Sequence, residues 1–249
     1  MSKFISLQIL GYSGGIPTKD RITSCVVISK SDENIMIDCG EGAYRKYIQN
    51  NYKLSMLKNI FISHMHPDHV GGIVPLLYYK SISNNHKKIS IFGPKDLKSF
   101  IEQSLSSQKI ELKYKYNFYA VENSNYKKIN DLKIDWIKLD HKIPSWGYSF
   151  NNGEKKIVFI TDTRVCANSF KFIDCSDILI HESTFSDNQK DLAYNKFHSI
   201  PNEVISMAKK SGVKRLFLTH FSPNLSNDYL ENIFYNEKKC VIFNERFYF

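Results

Sequence analysis

The sequence predicts an α/β protein in which two strand-rich halves, each with its own helices, build a four-layer αββα sandwich. Three observations carry this expectation. Short apolar runs recur along all 249 residues, and amphipathic stretches separate them. No repeat of roughly 20 to 50 residues is visible. No Pro-, Gly- or Ser-rich linker divides the chain, so residues 1–249 read as a single domain. At this length, with 42% hydrophobic and 24% charged residues, a sizeable core can be buried, and a disordered or fibrous chain is excluded.

The elements follow in order. FISLQIL (4–10) reads as a strand running into the turn Gly11-Tyr12-Ser13-Gly14-Gly15, and SCVVIS and NIMIDC as the next two strands of an opening meander. After Asp38-Cys39-Gly40, EGAYRKYIQNN has helical spacing, and LKNIFISH is a short buried strand that ends at a histidine cluster. A helix is expected from Gly72 to about Ser81, then the strand ISIFGP and an amphipathic helix over KDLKSFIEQSL, with Leu97, Phe100, Ile101 and Leu105 on one face. The second half opens with IELKYKYNFYAV, which alternates as a strand, followed by LKIDWIKL, WGYSF and KIVFITD. SDILIHE and KRLFLTH are short strands around the helix NEVISMAKKSG, and KKCVIF is expected as a final strand.

Composition narrows the function classes. The formal charge of +9 favours anionic partners such as nucleotides or nucleic acids, although a Lys- and Asn-rich composition accounts for much of it. Cys25, Cys39, Cys166, Cys175 and Cys240 are odd in number and never in C-x-x-C spacing, which argues against a disulfide framework and against a thiolate zinc site. No run approaches the ~20 apolar residues of a membrane span, and the first residues lack a charged segment followed by an apolar one. The expectation is a soluble cytoplasmic protein with no membrane partner.

His64-Met65-His66-Pro67-Asp68-His69 is the most informative stretch. Neutral imidazole and carboxylate suit zinc or manganese, and four such side chains on a sharp turn after a strand can diverge to face two ions. Further ligands are expected at other strand ends, where loops surround a common rim. His141 follows LKIDWIKLD, Asp162 ends KIVFIT, His181 ends DILI and His220 ends KRLFLT. Taken singly, each is more readily a hydrogen-bonded structural residue; together with His198 they favour a dinuclear site. His86 reads as a surface residue and His181 as a support for the ligands.

The chain resembles the metallo-β-lactamase superfamily, and within it the ribonuclease Z-like branch. The matching stretches are GYSGGIPT, IDCGEG at 37–42, FISHMHPDHVGG at 61–72, His141 before WGYSF, ITDTR at 160–164, HESTF at 181–185, FHS at 197–199 and LTHFSP at 218–223, in family order. The resemblance implies a hydrolase of metallo-β-lactamase fold, with two divalent ions, zinc or alternatively manganese. His64, His66 and His141 would hold one, Asp68, His69 and His220 the other, and Asp162 would bridge them. It further implies catalytic roles for Asp68 as proton acceptor, for His198 as proton donor to the leaving oxygen, and for Glu182 as the group orienting His198. Homodimers are the family expectation.

One departure bears on substrate. The tRNA-processing members of this branch carry a protruding arm before the bridging aspartate, whereas Tyr148 to Asp162 leaves room only for two strands joined at Asn151-Asn152-Gly153. Armless members that resemble this chain include phosphodiesterases of the anti-Pycsar type, which destroy cyclic-nucleotide immune signals. The expected substrate is therefore a small anionic nucleotide, most of all a 3′,5′-cyclic mononucleotide opened to the nucleoside monophosphate. The alternative is a ribonuclease Z-type endonuclease acting on tRNA 3′ ends. Aromatic residues around 78–79 and 114–119 are candidates to stack on a base. A sulfuric-ester or thioester hydrolase on the same fold is disfavoured by HESTF and LTHFSP, and an inactive nucleic-acid-binding module by the intact ligand set.

Overall fold

The computed structural model describes residues 5–83, 87–236 and 247–248. His86, Cys240 and the expected strand KKCVIF lie outside the described residues. The chain forms two compact units, one running to Asn123 and taking in the last strand, the other beginning at Ser124. Each contains one mixed sheet with helices, which is the α/β class expected.

The first unit contains strands β1 (Ile5–Gly11), β2 (Cys25–Lys30), β3 (Glu33–Ile37), β4 (Leu57–Phe61), β5 (Ile89–Gly93) and β6 (Tyr116–Ala120). Its helices are α1 (Ala43–Gln49), α2 (Pro67–Val70), α3 (Ile73–Ile82) and α4 (Asp96–Ser107). The short strand β13 (Phe247–Tyr248) pairs with β1. The sheet order is β13-β1-β2-β3-β4-β5-β6; β1 to β3 form the antiparallel meander, and β3 to β6 run parallel. Val27 pairs with Met36, Met36 with Ile60 and Ile60 with Ile91, so one apolar row crosses the sheet. Ala43 and Tyr47 of α1, Leu76 and Leu77 of α3, and Leu97, Ile101 and Leu105 of α4 pack in the same cluster. Those helical positions recur at three- and four-residue spacing, which is why these segments are helices with one buried face. Residues 110–115 are not strand, contrary to the alternation read there. Their apolar positions pack on α3 instead: Tyr114 is buried, its hydroxyl donates to Leu77 O at 3.0 Å, and Lys113 N donates to Ser81 Oγ at 2.8 Å. Tyr114 is thereby removed as a base-stacking candidate, and Tyr79 packs on Tyr44 with ring centres 4.6 Å apart.

The second unit contains β7 (Tyr126–Ile129), β8 (Leu132–Lys138), β9 (Trp146–Asn151), β10 (Lys156–Ile160), β11 (Ile178–Glu182) and β12 (Arg215–Thr219). Its helices are α5 (Ala167–Ile173), α6 (Lys190–Asn195), α7 (Pro201–Lys210) and α8 (Asn227–Asn236). The order is β12-β11-β10-β9-β8-β7, with β10 to β12 parallel and the rest antiparallel. The two patterns show in the residues. β8 alternates, burying Leu132, Ile134 and Trp136 between polar positions, whereas the parallel strands are continuous apolar runs buried throughout their interiors. β9 and β10 are joined by residues 152–155 alone: Asn152 N donates to Lys155 O at 3.2 Å, its Oδ1 accepts from Lys155 N at 2.7 Å, and Gly153 adopts φ +87°. The hairpin at Asn151-Asn152-Gly153 is as the sequence predicts, and no arm projects from it.

Candidate metal centre

Parallel strands bring their C-terminal ends to one edge of a sheet, and each unit uses that edge to collect polar side chains. In the first unit, β3 is followed by Asp38 and β4 by the loop that carries His64 and His66 into α2, where Pro67 occupies the first turn and Asp68 and His69 follow. Asp38 has φ +57°, a conformation that costs a non-glycine residue energy and that clusters at functional positions. Its buried carboxylate accepts from Ser63 N at 2.8 Å, from Ser63 Oγ and Ser24 Oγ at 3.0 Å each, and from His69 Nδ1 at 2.7 Å. That last bond fixes the tautomer of His69 and leaves Nε2 to present its lone pair, 3.3 Å from Asp68 Oδ2. Asp68 Oδ2 also accepts Gly15 N–H at 2.7 Å, so the early glycine turn is tied to the motif. His64 Nε2 lies 3.0 Å from His66 Nδ1.

In the second unit, Asp162 lies two residues beyond β10, Glu182 closes β11 and His220 follows β12. Asp162 and His220 have φ +33° and +57°. The two carboxylate oxygens of Asp162 face different histidines, Oδ1 at 3.3 Å from His220 Nε2 and Oδ2 at 3.7 Å from His141 Nε2. His141 Nδ1 lies 3.3 Å from Phe197 O, and His220 Nδ1 lies 2.9 Å from Thr184 Oγ1, so both rings turn Nε2 toward Asp162. Asp162, His198 and His220 offer donor atoms all within 4.8 Å of one another. The donors thus suit divalent cations: imidazoles, of which His64, His69, His141 and His220 have Nδ1 against an oxygen, and carboxylates, with two ring nitrogens 3.0 Å apart in the first unit.

Glu182 is fully buried and saturated with donors. Oε1 accepts from Thr163 N at 2.9 Å and from His198 Nδ1 at 2.9 Å; Oε2 accepts from Thr184 N at 3.0 Å and Thr184 Oγ1 at 2.7 Å. Burial pushes its carboxyl up, but the His198 charge and hydrogen bond outweigh burial, and the carboxyl sits below its ordinary value. His181 is fully buried, which pushes its imidazole below its ordinary value, and its Nδ1 lies 2.7 Å from Glu182 O. A cavity of about 860 Å³ borders His198, lined also by Asp140, Arg164, Phe170 and Tyr194.

The first unit therefore groups His64 with His66 and Asp68 with His69; the second groups His141, Asp162, Glu182, His198 and His220. The sequence reading did not single out Asp38, Thr184 or Arg164. Asp38 carried the same signal as the others, a polar residue closing an apolar strand.

A family model described as Anti-Pycsar protein Apyc1 matches residues 5–239. Ribonuclease Z of Prochlorococcus marinus (strain MIT 9301) is 31% identical over 280 residues, covering 90% of this chain and 90% of the relative. Ribonuclease Z of Acaryochloris marina (strain MBIC 11017) is 28% identical over 271 residues, covering 88% and 86%. Both alignments are longer than this chain's 249 residues, so these relatives carry segments with no counterpart here. Among solved structures, human tRNase Z, short form, superposes with a TM-score of 0.80 at 29% identity, covering 87% of this chain and 92% of that one. The metallo-β-lactamase fold protein YhfI from Bacillus subtilis gives a TM-score of 0.84 at 22% identity, covering 100% and 99%, a likeness of fold.

Proposed function

Because the chain belongs to the anti-Pycsar protein Apyc1 family, in the ribonuclease Z-like branch of the metallo-β-lactamase superfamily, and is a metal-dependent hydrolase of the phosphodiesterase and nuclease type, we propose that it opens 3′,5′-cyclic mononucleotides to nucleoside monophosphates. On this reading it counteracts cyclic-nucleotide immune signalling. The observation that supports a small substrate is the β9–β10 hairpin, closed by residues 152–155 where the tRNA-processing members of the branch carry an arm. A large substrate needs remote contacts to orient its reacting phosphate, and a cyclic nucleotide has no remote body. Ribonuclease Z-type cleavage of tRNA 3′ ends is the second reading, favoured by the names of the relatives.

His64, His66, Asp68, His69, His141, Asp162 and His220 are the residues that would hold two divalent ions, zinc or manganese, which would supply Lewis acidity toward the phosphate and a water activated near neutral pH. The remaining chemistry falls to the chain's own groups. Asp68 accepts the proton released by the attacking water, its carboxylate oriented by Gly15 N–H. His198 donates a proton from Nε2 to the leaving oxygen, while its Nδ1–H is held by Glu182 Oε1 at 2.9 Å. The Glu182 carboxylate stabilises the imidazolium that this role requires. The cavity beside His198 offers room for the leaving portion of the substrate.

The test is a panel of cyclic mononucleotides, bis(p-nitrophenyl) phosphate and a precursor tRNA, incubated with the purified metal-loaded protein. Ring opening of cyclic nucleotides is the expected result. Accurate trailer cleavage with no cyclic-nucleotide turnover would replace this reading by the second.

A further inference from the structure

We propose that Arg164 is the positioning residue for His198, acting as a strut that fixes the end of α6 and the turn that follows it so that the imidazole meets Glu182; the inference rests on reading His198 as the proton donor. The Arg164 guanidinium contacts two rings of that segment, its central carbon 4.0 Å from the ring centre of Tyr194 in the last turn of α6 and 3.8 Å from that of Phe197 in the turn. Its Nε donates to Tyr194 O at 2.8 Å, and its Nη1 is 3.7 Å from Asp140 Oδ2. At the base of the side chain, Arg164 N donates to Asp140 O at 3.2 Å and Ser199 Oγ donates to Thr163 O at 2.7 Å. The strut thus runs from the segment that carries Asp162 to the segment that carries His198.

The turn needs such support. Phe197, the residue immediately before His198, has φ +62°. An aromatic side chain is strained there, and such a conformation persists only where its surroundings over-determine it. Phe197 N–H donates to Tyr194 O and His198 N–H to Ala193 O, which closes the turn, but the ring of Phe197 is held from one side by Arg164. Releasing the ring removes a contact that maintains the strained backbone and shifts His198 relative to Glu182 Oε1. The rival role, a direct clamp on substrate, is open to an arginine that borders the same cavity as His198. Contact with two rings and a committed Nε favour the strut.

A double-mutant cycle decides between them, using bis(p-nitrophenyl) phosphate, whose leaving group needs little protonation, and whichever unactivated ester the enzyme turns over, a cyclic mononucleotide or precursor tRNA. Arg164→Ala is expected to lower kcat on the unactivated ester by ~10- to 10²-fold with KM changed less than about 2-fold, and to cost much less on the activated ester. In a His198→Ala background it is expected to cost nothing further. Amide exchange at Phe197 and His198 should accelerate. Arg164→Lys keeps the charge but loses the planar stack, so it should show the same pattern, and it serves if the alanine variant does not fold. A full additional loss in the His198→Ala background, a loss expressed in KM alone, or unchanged exchange at 197–198 would overturn the inference. If His198→Ala itself leaves the unactivated ester untouched, the reading of His198 fails, while exchange at 197–198 still reports whether Arg164 holds the turn.

Discussion

Replacing Glu182 by Gln tests the charge at the base of the proposed proton donor while keeping its shape. Each carboxylate oxygen accepts two hydrogen bonds, and glutamine must put an NH₂ in place of one oxygen. At Oε1 the amide would confront both Thr163 N–H and the Nδ1–H of His198; at Oε2 it would confront Thr184 N–H and a hydroxyl that can rotate to accept. The second orientation is cheaper, so the carbonyl of the introduced amide keeps His198 in place and one buried backbone N–H, that of Thr184, loses its acceptor. An orphaned buried donor costs ~1–3 kcal/mol, so the unfolding free energy from urea titration should fall by that amount. The missing charge acts on chemistry: a neutral amide stabilises the imidazolium of His198 less than a carboxylate does, and the loss of an effective general acid is worth ~10²-fold or more. Turnover of an unactivated phosphodiester should drop on that scale, and turnover of bis(p-nitrophenyl) phosphate far less. Equal losses on both esters, or a variant with full activity on the unactivated one, would refute the role given to Glu182. The linkage has a definite sign. Because the folded carboxyl sits below its ordinary value, its contribution to stability is present above the usual carboxylate range and is lost as pH falls through the folded value. The E182Q variant should lack that acid-side loss.

The remaining predictions concern the frame around the site. Gly72→Ala places a Cβ 2.3 Å from Gly40 O and 2.9 Å from Cys39 O, backbone atoms that cannot swing away, and should destabilise by ~1–3 kcal/mol in denaturant melts; a neutral result would show that the IDCGEG and HPDHVGG segments are not locked together. Lys80 is fully buried in α3 with its ammonium 5.3 Å from the Tyr114 ring centre, and burial, with Lys58 and Lys87 nearby, pulls its pKa down to about 8. The folded state therefore binds fewer protons than the unfolded state between about 8 and 10.5, and stability should rise with pH across that window; Lys80→Met should remove the rise. Asp68→Ala should lower divalent metal below two per chain by elemental analysis and hydrolysis by ~10²-fold or more, and normal metal with normal rates would move both functions elsewhere.

Much of the fold was legible because it is written in local pattern. The continuous apolar runs of β10, β11 and β12 and the amphipathic spacing of α4 and α7 need no partner to be read. The errors have physical causes. Residues 110–115 alternate like a strand, but Tyr114 spends its apolar face on α3. β7 went unread because Tyr126-Lys127-Lys128 is exposed on a sheet edge, where burial leaves no signature. Within the site, the histidines and acids at strand ends announced themselves by position. Thr184 and Arg164 did not, because their roles consist of contacts with residues distant in sequence, His220 for one and Tyr194 and Phe197 for the other. The strain at Asp38, Asp162 and His220 is likewise invisible in residue type.

The most direct test of the central claim is the ratio of kcat/KM for a 3′,5′-cyclic mononucleotide to kcat/KM for removal of a precursor tRNA 3′ trailer, measured on the metal-loaded protein under one set of conditions. A hairpin of this size between β9 and β10 predicts a ratio well above one, with loose discrimination among bases, since stacking tolerates base identity. A ratio well below one, with accurate trailer cleavage, would contradict the account.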